Sequence, residues 1–266
     1  MKILIICVNY NSYNELSKYL DSIELACMNA NGIAVQVVVA DNSTVSQKIS
    51  TEKYKHIKVE QCEQENLGYL PGAANVINNI QNANGYDYVA ISNVDILMAS
   101  NFFIKLQEYK LDEDIAWLAT RIWSKAEERD RNPKIISRPS KKRLQLVNLM
   151  YKFPILDCLY TRSLYKRKTL YTPSPEMDIY AGHGSFMMLT KAFFEKYPKI
   201  NYPIFLFGEE LFFGELIRQE GMRVRYVPTL EVIDTEHAST GKMKKAFYYK
   251  CNKESIDFIL NNYYNE

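Results

Sequence analysis

Asn93-Val94-Asp95 stands directly after the apolar run Tyr88–Ser92. A carboxylate in that place offers a hard oxygen to Mg2+ or Mn2+, ions that share their ligands with a diphosphate. One Asp makes a metal site only together with phosphate oxygens and a second protein ligand, and an Asp after a strand also serves as a helix cap. Upstream, Asn66-Leu-Gly-Tyr-Leu-Pro-Gly-Ala-Ala-Asn75 is a glycine-bearing loop that runs into a helix. Gly68 permits close approach of the backbone, and the free N–H groups at a helix N-terminus suit phosphate. Two further apolar runs end in polar residues: Lys2–Val8 in Asn9 and Asn11, and Val35–Ala40 in Asp41 and Ser43. One polar residue after a strand is ordinary turn chemistry. Its recurrence at the ends of separate strands is what points to a ligand.

The elements that must position these residues alternate. Lys2–Val8, Val35–Ala40, Ile57–Val59 and Tyr88–Ser92 read as short buried strands. Between them, Leu16, Tyr19, Leu20, Ile23 and Ala26 recur at helical spacing after a Ser12-x-x-Glu15 capping pattern, and Pro71 opens a second helix. This β-α-β-α order predicts an α/β fold, a mostly parallel central sheet with helices on both faces. Ligands of such sheets bind beyond the carboxyl ends of the strands. The second half predicts a strand over Ile115–Ala119, a strand over Gly184–Leu189 and a helix from Thr190. A helix over Glu209–Glu220 stops at Gly221, a strand Arg223–Val227 is closed by Pro228, and a helix covers Lys242–Asn262. Lys125 to Pro175 reads as irregular and basic, with a short amphipathic helix over Leu144–Tyr151.

The bulk composition narrows the class. The chain has 266 residues, 47% hydrophobic and 24% charged, enough for a sizeable core. Its net charge of +2 carries no signature of nucleic-acid binding. Twenty tyrosines supply flat, partly polar faces that suit sugars and nucleobases. Five widely spaced cysteines without a C-x-x-C pair read as reduced thiols, and no leader or membrane span is expected, so a cytoplasmic protein is predicted.

The order of the motifs resembles a known family. Val8-Asn-Tyr-Asn11, Val39-Ala-Asp-Asn-Ser43, Glu65-Asn-Leu-Gly-Tyr69 with Asn75, and Asn93-Val-Asp95 look like the family 2 inverting glycosyltransferases of GT-A fold, most of all the rhamnosyltransferase-like branch that builds bacterial surface polysaccharides. Downstream, Gly182-His-Gly-Ser-Phe-Met-Met-Leu189, Phe205-Leu-Phe-Gly-Glu-Glu210 and Ile233-Asp-Thr-Glu-His237 with Ser239 resemble its later motifs. The resemblance implies a nucleotide-diphosphate sugar donor, a glycan or lipid-linked glycan acceptor and a divalent metal, Mn2+ or Mg2+. It implies Asp41 at the nucleoside with Asn9 and Asn11 nearby, Asn66 and Gly68 lining the nucleotide pocket, and Asp95 on the metal. It implies His237 as a further metal or diphosphate ligand, and Glu210 or its neighbour Glu209 as general base. Three positions depart from the pattern: Asn93 replaces the first Asp of D-x-D, Glu210 stands where Asp is usual, and Phe212 occupies a position that is often acidic.

The domain reading follows. Residues 1–240 form the transferase domain, with a nucleotide-sugar-binding half over 1–120, a basic insertion over 125–175 and an acceptor half over 176–240; residues 241–266 form a terminal helix. From Arg129 to Lys168 the local balance is +10, leaving −8 elsewhere. Lys141-Lys-Arg143 and Tyr165-Lys-Arg-Lys168 flank apolar residues from Leu144 to Phe153, which reads either as a solvated insertion or as contact with anionic lipid at the inner face of the membrane. An oligomer is compatible with the apolar terminal helix. Two other functions compete: a sugar-phosphate nucleotidyltransferase, which would carry a Gly-rich loop and a Lys or Arg where Asn9-Tyr-Asn-Ser12 stands, and a non-catalytic scaffold in polysaccharide assembly.

Overall fold

A computed structural model describes residues 1–80, 82–154, 172–235 and 244–265. The chain opens with β1 (Lys2–Asn9), α1 (Tyr13–Met28), β2 (Ala34–Asp41), β3 (Ile57–Glu63), α2 (Leu70–Asn79) and β4 (Tyr88–Ser92). It continues with β5 (Ile96–Met98), α3 (Phe102–Glu108), β6 (Ile115–Ser124), β7 (Arg129–Asp130) and α4 (Lys141–Lys152). It closes with β8 (Met177–Ile179), β9 (Phe186–Thr190), α5 (Lys191–Lys196), α6 (Glu209–Gln219), β10 (Arg223–Asp234) and α7 (Lys245–Tyr263).

The sheet runs β3-β2-β1-β4-β9-β6-β10-β5, with β7 on β6 and β8 on β10. The first four strands pair in parallel. β9 enters antiparallel between β4 and β6, and β10 lies parallel to β6, so the second half is mixed. β1 explains why the sheet needs helices on both sides. Ile3, Ile5 and Cys7 face one apolar cluster and Leu4 and Ile6 the other, and all five are fully buried. α1 closes the first face with Leu16, Tyr19, Leu20 and Ile23.

Several local expectations change. Ser12 makes no side-chain cap for α1; its hydroxyl donates to the Tyr10 carbonyl and its amide donates to Asn9 Oδ1, because the chain turns sharply at Asn11, whose φ is +54°. β10 does not stop at Pro228 but continues to Asp234 through a register shift between Val227 and Glu231, the kind of irregularity where a strand tolerates a missing N–H. The three-residue β5 follows Asp95 at once and pairs antiparallel with the end of β10. α4 starts three residues earlier than expected, where Ser140 Oγ accepts from the Arg143 amide. Gly221, with φ of +67°, stands just beyond α6 as the pattern required.

The terminal helix is tied to the body by a buried charge. Glu215 is fully buried on α6; Oε1 accepts from Arg138 Nε (2.7 Å) and the Tyr180 hydroxyl (2.7 Å), and Oε2 from Arg218 Nε (2.9 Å). Burial pushes this carboxyl up, and the three donors outweigh it and hold it below its ordinary value. Arg138 also donates to the Tyr263 carbonyl and stacks 3.9 Å over the Tyr264 ring, which fastens the end of α7. Cys7, Cys27, Cys62 and Cys251 are free thiols. No helix among the described residues is long and apolar enough to cross a membrane.

Candidate functional site

The carboxyl ends of β1 and β2 meet in one polar cluster. Asp41, 2% exposed, accepts from Asn9 Nδ2 (3.1 Å) and the Ser43 amide on Oδ1. Its Oδ2 accepts from the Tyr13 hydroxyl (2.7 Å), Gln61 Nε2 (2.8 Å) and Ser46 Oγ. Burial alone would raise this carboxyl, but the donors Ser43, Tyr13, Gln61 and Asn9 outweigh it, so Asp41 stays ionised below its ordinary range. Asn11 reaches across to the same turn, with Oδ1 accepting from the Thr44 amide and hydroxyl.

Asn42 carries this cluster to the glycine loop. Its Nδ2 donates to the Gly68 carbonyl (2.7 Å), and its Oδ1 accepts from Gln64 Nε2, which also donates to the Gly72 carbonyl. Asn75 Nδ2 donates to Gln64 Oε1 (2.7 Å). Asn66 Oδ1 accepts from the Gly68 amide, closing a tight turn. Gly68 has φ of +91°, and a Cβ there would lie 1.9 Å from the Phe205 carbonyl oxygen, so glycine alone fits. The Tyr69 amide donates to that same carbonyl (3.0 Å) and its hydroxyl to the Gly184 carbonyl (2.6 Å).

Gly184 and Ser185 are where the remaining segments converge. Ser185 accepts from the Asn93 amide (2.9 Å), which sets Asn93-Val-Asp95 beside the loop. The Gly184 amide donates to Glu210 Oε1 (3.2 Å). Glu209 packs against Gly184 so closely that an added Cβ would lie 2.5 Å from its Oε1. Burial first, and the neighbouring Glu210 charge second, push the Glu209 carboxyl up to about 8, only partly offset by its own backbone and Lys134. His183 donates its amide to Asn132 Oδ1, and its Nδ1 lies 3.0 Å from Ser185 Oγ. Burial, then Lys134, Arg131 and Arg129, hold this imidazole well below its ordinary value, so it is neutral.

Asp95 lies between β4 and β5, its carbonyl accepting from the Thr235 amide and hydroxyl. Burial raises its carboxyl; the Arg131 charge and the Asn93 side chain pull it back only in part. A desolvated carboxylate of this kind gains from a cation. Among the described residues no cluster of three His, Cys, Asp or Glu could hold a metal ion by itself. A buried carboxylate at a strand end suits a metal that substrate phosphates share, as Mg2+-type sites often do. His237 lies outside the described residues.

Asn9, Asn11, Asp41, Asn66, Gly68, Asn93 and Glu210 are thus linked through hydrogen bonds and chain neighbours along the strand ends, with Asp95 two residues beyond Asn93 and Glu209 packed on Gly184. Asn42, Tyr69 and His183 stood inside the motifs without a role, and sequence reasoning missed Gln64 and the cations Arg131 and Lys134 from the start of the basic segment. The signal for the last two was present in the sequence, since that segment was the one marked local charge excess. A cavity of about 720 Å³ lined by Lys2, Ala34, His56 and Lys58 lies at the opposite, amino ends of the strands. The strand-end rule excludes it as the site of this chain of residues.

No family model matches the chain, and no curated protein matches it in sequence. Solved structures do match. TarS 1–349 of S. aureus superposes with a TM-score of 0.56 at 13% identity, covering 100% of this chain and 67% of that one. The same fragment in complex with UDP-GlcNAc gives 0.55 at 12% identity, over 100% and 68%. GalNAc-T7 with UDP, GalNAc and Mn2+ gives 0.61 at 13% identity, covering 98% of this chain and 48% of that one, so the chain spans about half of its length. Likeness at such identity is likeness of architecture: the chain has the GT-A fold of nucleotide-diphospho-sugar transferases.

Proposed function

We propose that the chain is an inverting glycosyltransferase that moves a sugar from a nucleoside diphosphate to a hydroxyl of a glycan or lipid-linked glycan. The observation that carries this reading is the junction at Gly184 and Ser185. It ties the glycine loop, Asn93-Val-Asp95 and Glu210 together at the strand ends of a GT-A fold. UDP in the two neighbouring complexes makes a uridine diphosphate donor the first to test. The motif resemblance to the rhamnosyltransferase-like branch favours a role in bacterial surface polysaccharide, on the cytoplasmic side of the membrane.

In this reading the acceptor oxygen attacks the anomeric carbon as the bond from that carbon to the diphosphate oxygen breaks. The acceptor proton passes to Glu210, and the nucleoside diphosphate leaves. A positioned carboxylate contributes about 10²–10⁴-fold to such a step. Glu210 is the base because Glu209 is buried and held protonated at neutral pH. Asp95, with His237, would hold Mn2+ or Mg2+, whose charge would offset that on the leaving diphosphate, and Asn93 would face the nucleotide sugar. Asn9, Asn11 and Asp41 shape the nucleoside end, and Asn66 and Gly68 bring backbone to the diphosphate.

The test is release of nucleoside diphosphate across UDP-, dTDP- and GDP-sugars, with Mn2+, with Mg2+ and with chelator. One donor is expected to turn over, only with metal, and Asp95→Ala is expected to lose activity about 10²-fold or more. Absence of both turnover and nucleotide binding by calorimetry would overturn the reading in favour of a scaffold.

A further inference from the structure

α4 carries apolar residues on two sides. Inward, Leu144 is buried, Asn148 Nδ2 donates to Asp257 Oδ1 of α7 (2.6 Å), and Tyr151 packs on the rings of Tyr248 and Tyr249. Outward, Leu146 is 59% exposed, Leu149 43% and Phe153 48%, at spacings of three and four that align them with Lys142 along one face. A soluble helix needs only the first of these faces.

The charged side chains of α4 itself are of one sign. From Arg131 to Pro154 the sequence holds no Asp or Glu, while Lys141, Lys142, Arg143 and Lys152 are all exposed. The inward side of α4 meets the start of α7. Tyr151 brings the C-terminal end of α4 to the start of α7, where Phe247 and Tyr248 are 40% and 38% exposed beside Lys244 and Lys245. Phe247 in turn packs on Phe205 and Tyr248 on Phe207, in the loop that leads directly into Glu209 and Glu210.

We infer that this face of α4, Leu146, Leu149 and Phe153 with its rim of lysines and arginine, docks the protein onto the surface of an anionic bilayer. An exposed apolar stripe flanked by cations is what a helix lying in the interface plane requires. The Phe153 ring and the leucines enter the acyl boundary while the cations meet the headgroups. Nucleic acid would use the cations but leave the leucines in water, and an acidic protein would have to bring a matching apolar face inside its charged rim. α4 has 12 residues, too short to do more than lie on the surface. The docking itself does not depend on the transferase reading.

The experiment is co-sedimentation of the whole chain with phosphatidylcholine vesicles and with vesicles that also contain phosphatidylglycerol. The wild type is expected to bind only the second kind and to be released by raised salt. Replacing Lys141, Lys142 and Arg143 by Ala is expected to weaken binding about a hundredfold. The pair Leu146→Glu, Leu149→Glu is expected to abolish it with an unchanged melting temperature, because both side chains already face water. Binding that survives either set, or a wild type that binds neither vesicle, overturns the inference. So does a solution dimer that Leu146→Glu, Leu149→Glu dissociates, since the face would then belong to a second copy. Donor turnover without added membrane, measured on the same variants, is expected to stay at the wild-type level, which separates failure of the docking from failure of the transferase reading.

Discussion

Glu209 and Glu210 are neighbours in the chain and opposites in surroundings. Glu209 is 9% exposed, pressed against Gly184, with no offsetting donor strong enough to keep it charged; Glu210 is more open and accepts from the Gly184 amide. A general base must be ionised to act, so the two substitutions to Gln separate cleanly. Glu210→Gln is expected to lower kcat by about 10²–10⁴-fold with little change in donor affinity. Glu209→Gln mimics the protonated form already present and is expected to keep most of the activity. Equal loss in both would remove the assignment, and initial rates at saturating donor would decide it. Nothing in the pattern Phe-Gly-Glu-Glu could have separated the two, because burial is a property of what packs over a residue, here Gly184 from a distant motif. The connectors were hidden for the same reason: Asn42 and Gln64 are ordinary polar residues until the fold sets them against Gly68 and Gly72.

The glycine loop and the Phe205 strap behave as one element. Gly68 and Tyr69 press on the Phe205 carbonyl from one side, and Tyr69 reaches past it to Gly184. Gly68→Ala would need a positive φ that costs about 1–3 kcal/mol on its own. It would also place a Cβ 1.9 Å from a backbone oxygen that cannot rotate away. The melting temperature is expected to fall by several degrees, at about 2–4 °C per kcal/mol for a chain of this size, and affinity for nucleoside diphosphate to fall with it. A variant that melts like the wild type would show that the loop moves freely and does not hold the site. The parallel half of the sheet was readable because β1, β2 and β4 are apolar runs, interrupted only by Gln36 in β2, a pattern that a doubly covered strand favours. β5, β7 and β8, of two or three residues each, are too short to carry a period. They exist because β10 and β6 offer them edges. β10 itself outran its Pro because the ladder could shift register there.

At the scale of the whole molecule, two buried groups in one site pull the pH dependence of stability in opposite directions. His183 is held well below the ordinary 6.5, so below that pH the unfolded chain binds a proton that the folded chain refuses. Stability from this group rises with pH up to about 6.5 and is constant above it. Glu209 is raised from 4.5 to about 8, so between those values the folded chain holds a proton that the unfolded chain has released. Stability from this group therefore falls as pH rises through that window, by at most about 1.4 kcal/mol per unit. Asp41 and Glu215 are lowered and act only in the acid limb, where protonation removes their contribution. Below about 6.5 the two slopes oppose each other; above it, Glu209 stands without His183. The wild type is expected to melt progressively lower between about pH 6.5 and 8. Glu209→Gln is expected to flatten that limb, so that its lead over the wild type widens by several degrees from about pH 6.5 to 8. Parallel melting curves for the two proteins across this range would mean that Glu209 is ionised in the native state. The division of labour between Glu209 and Glu210 would then fall with it.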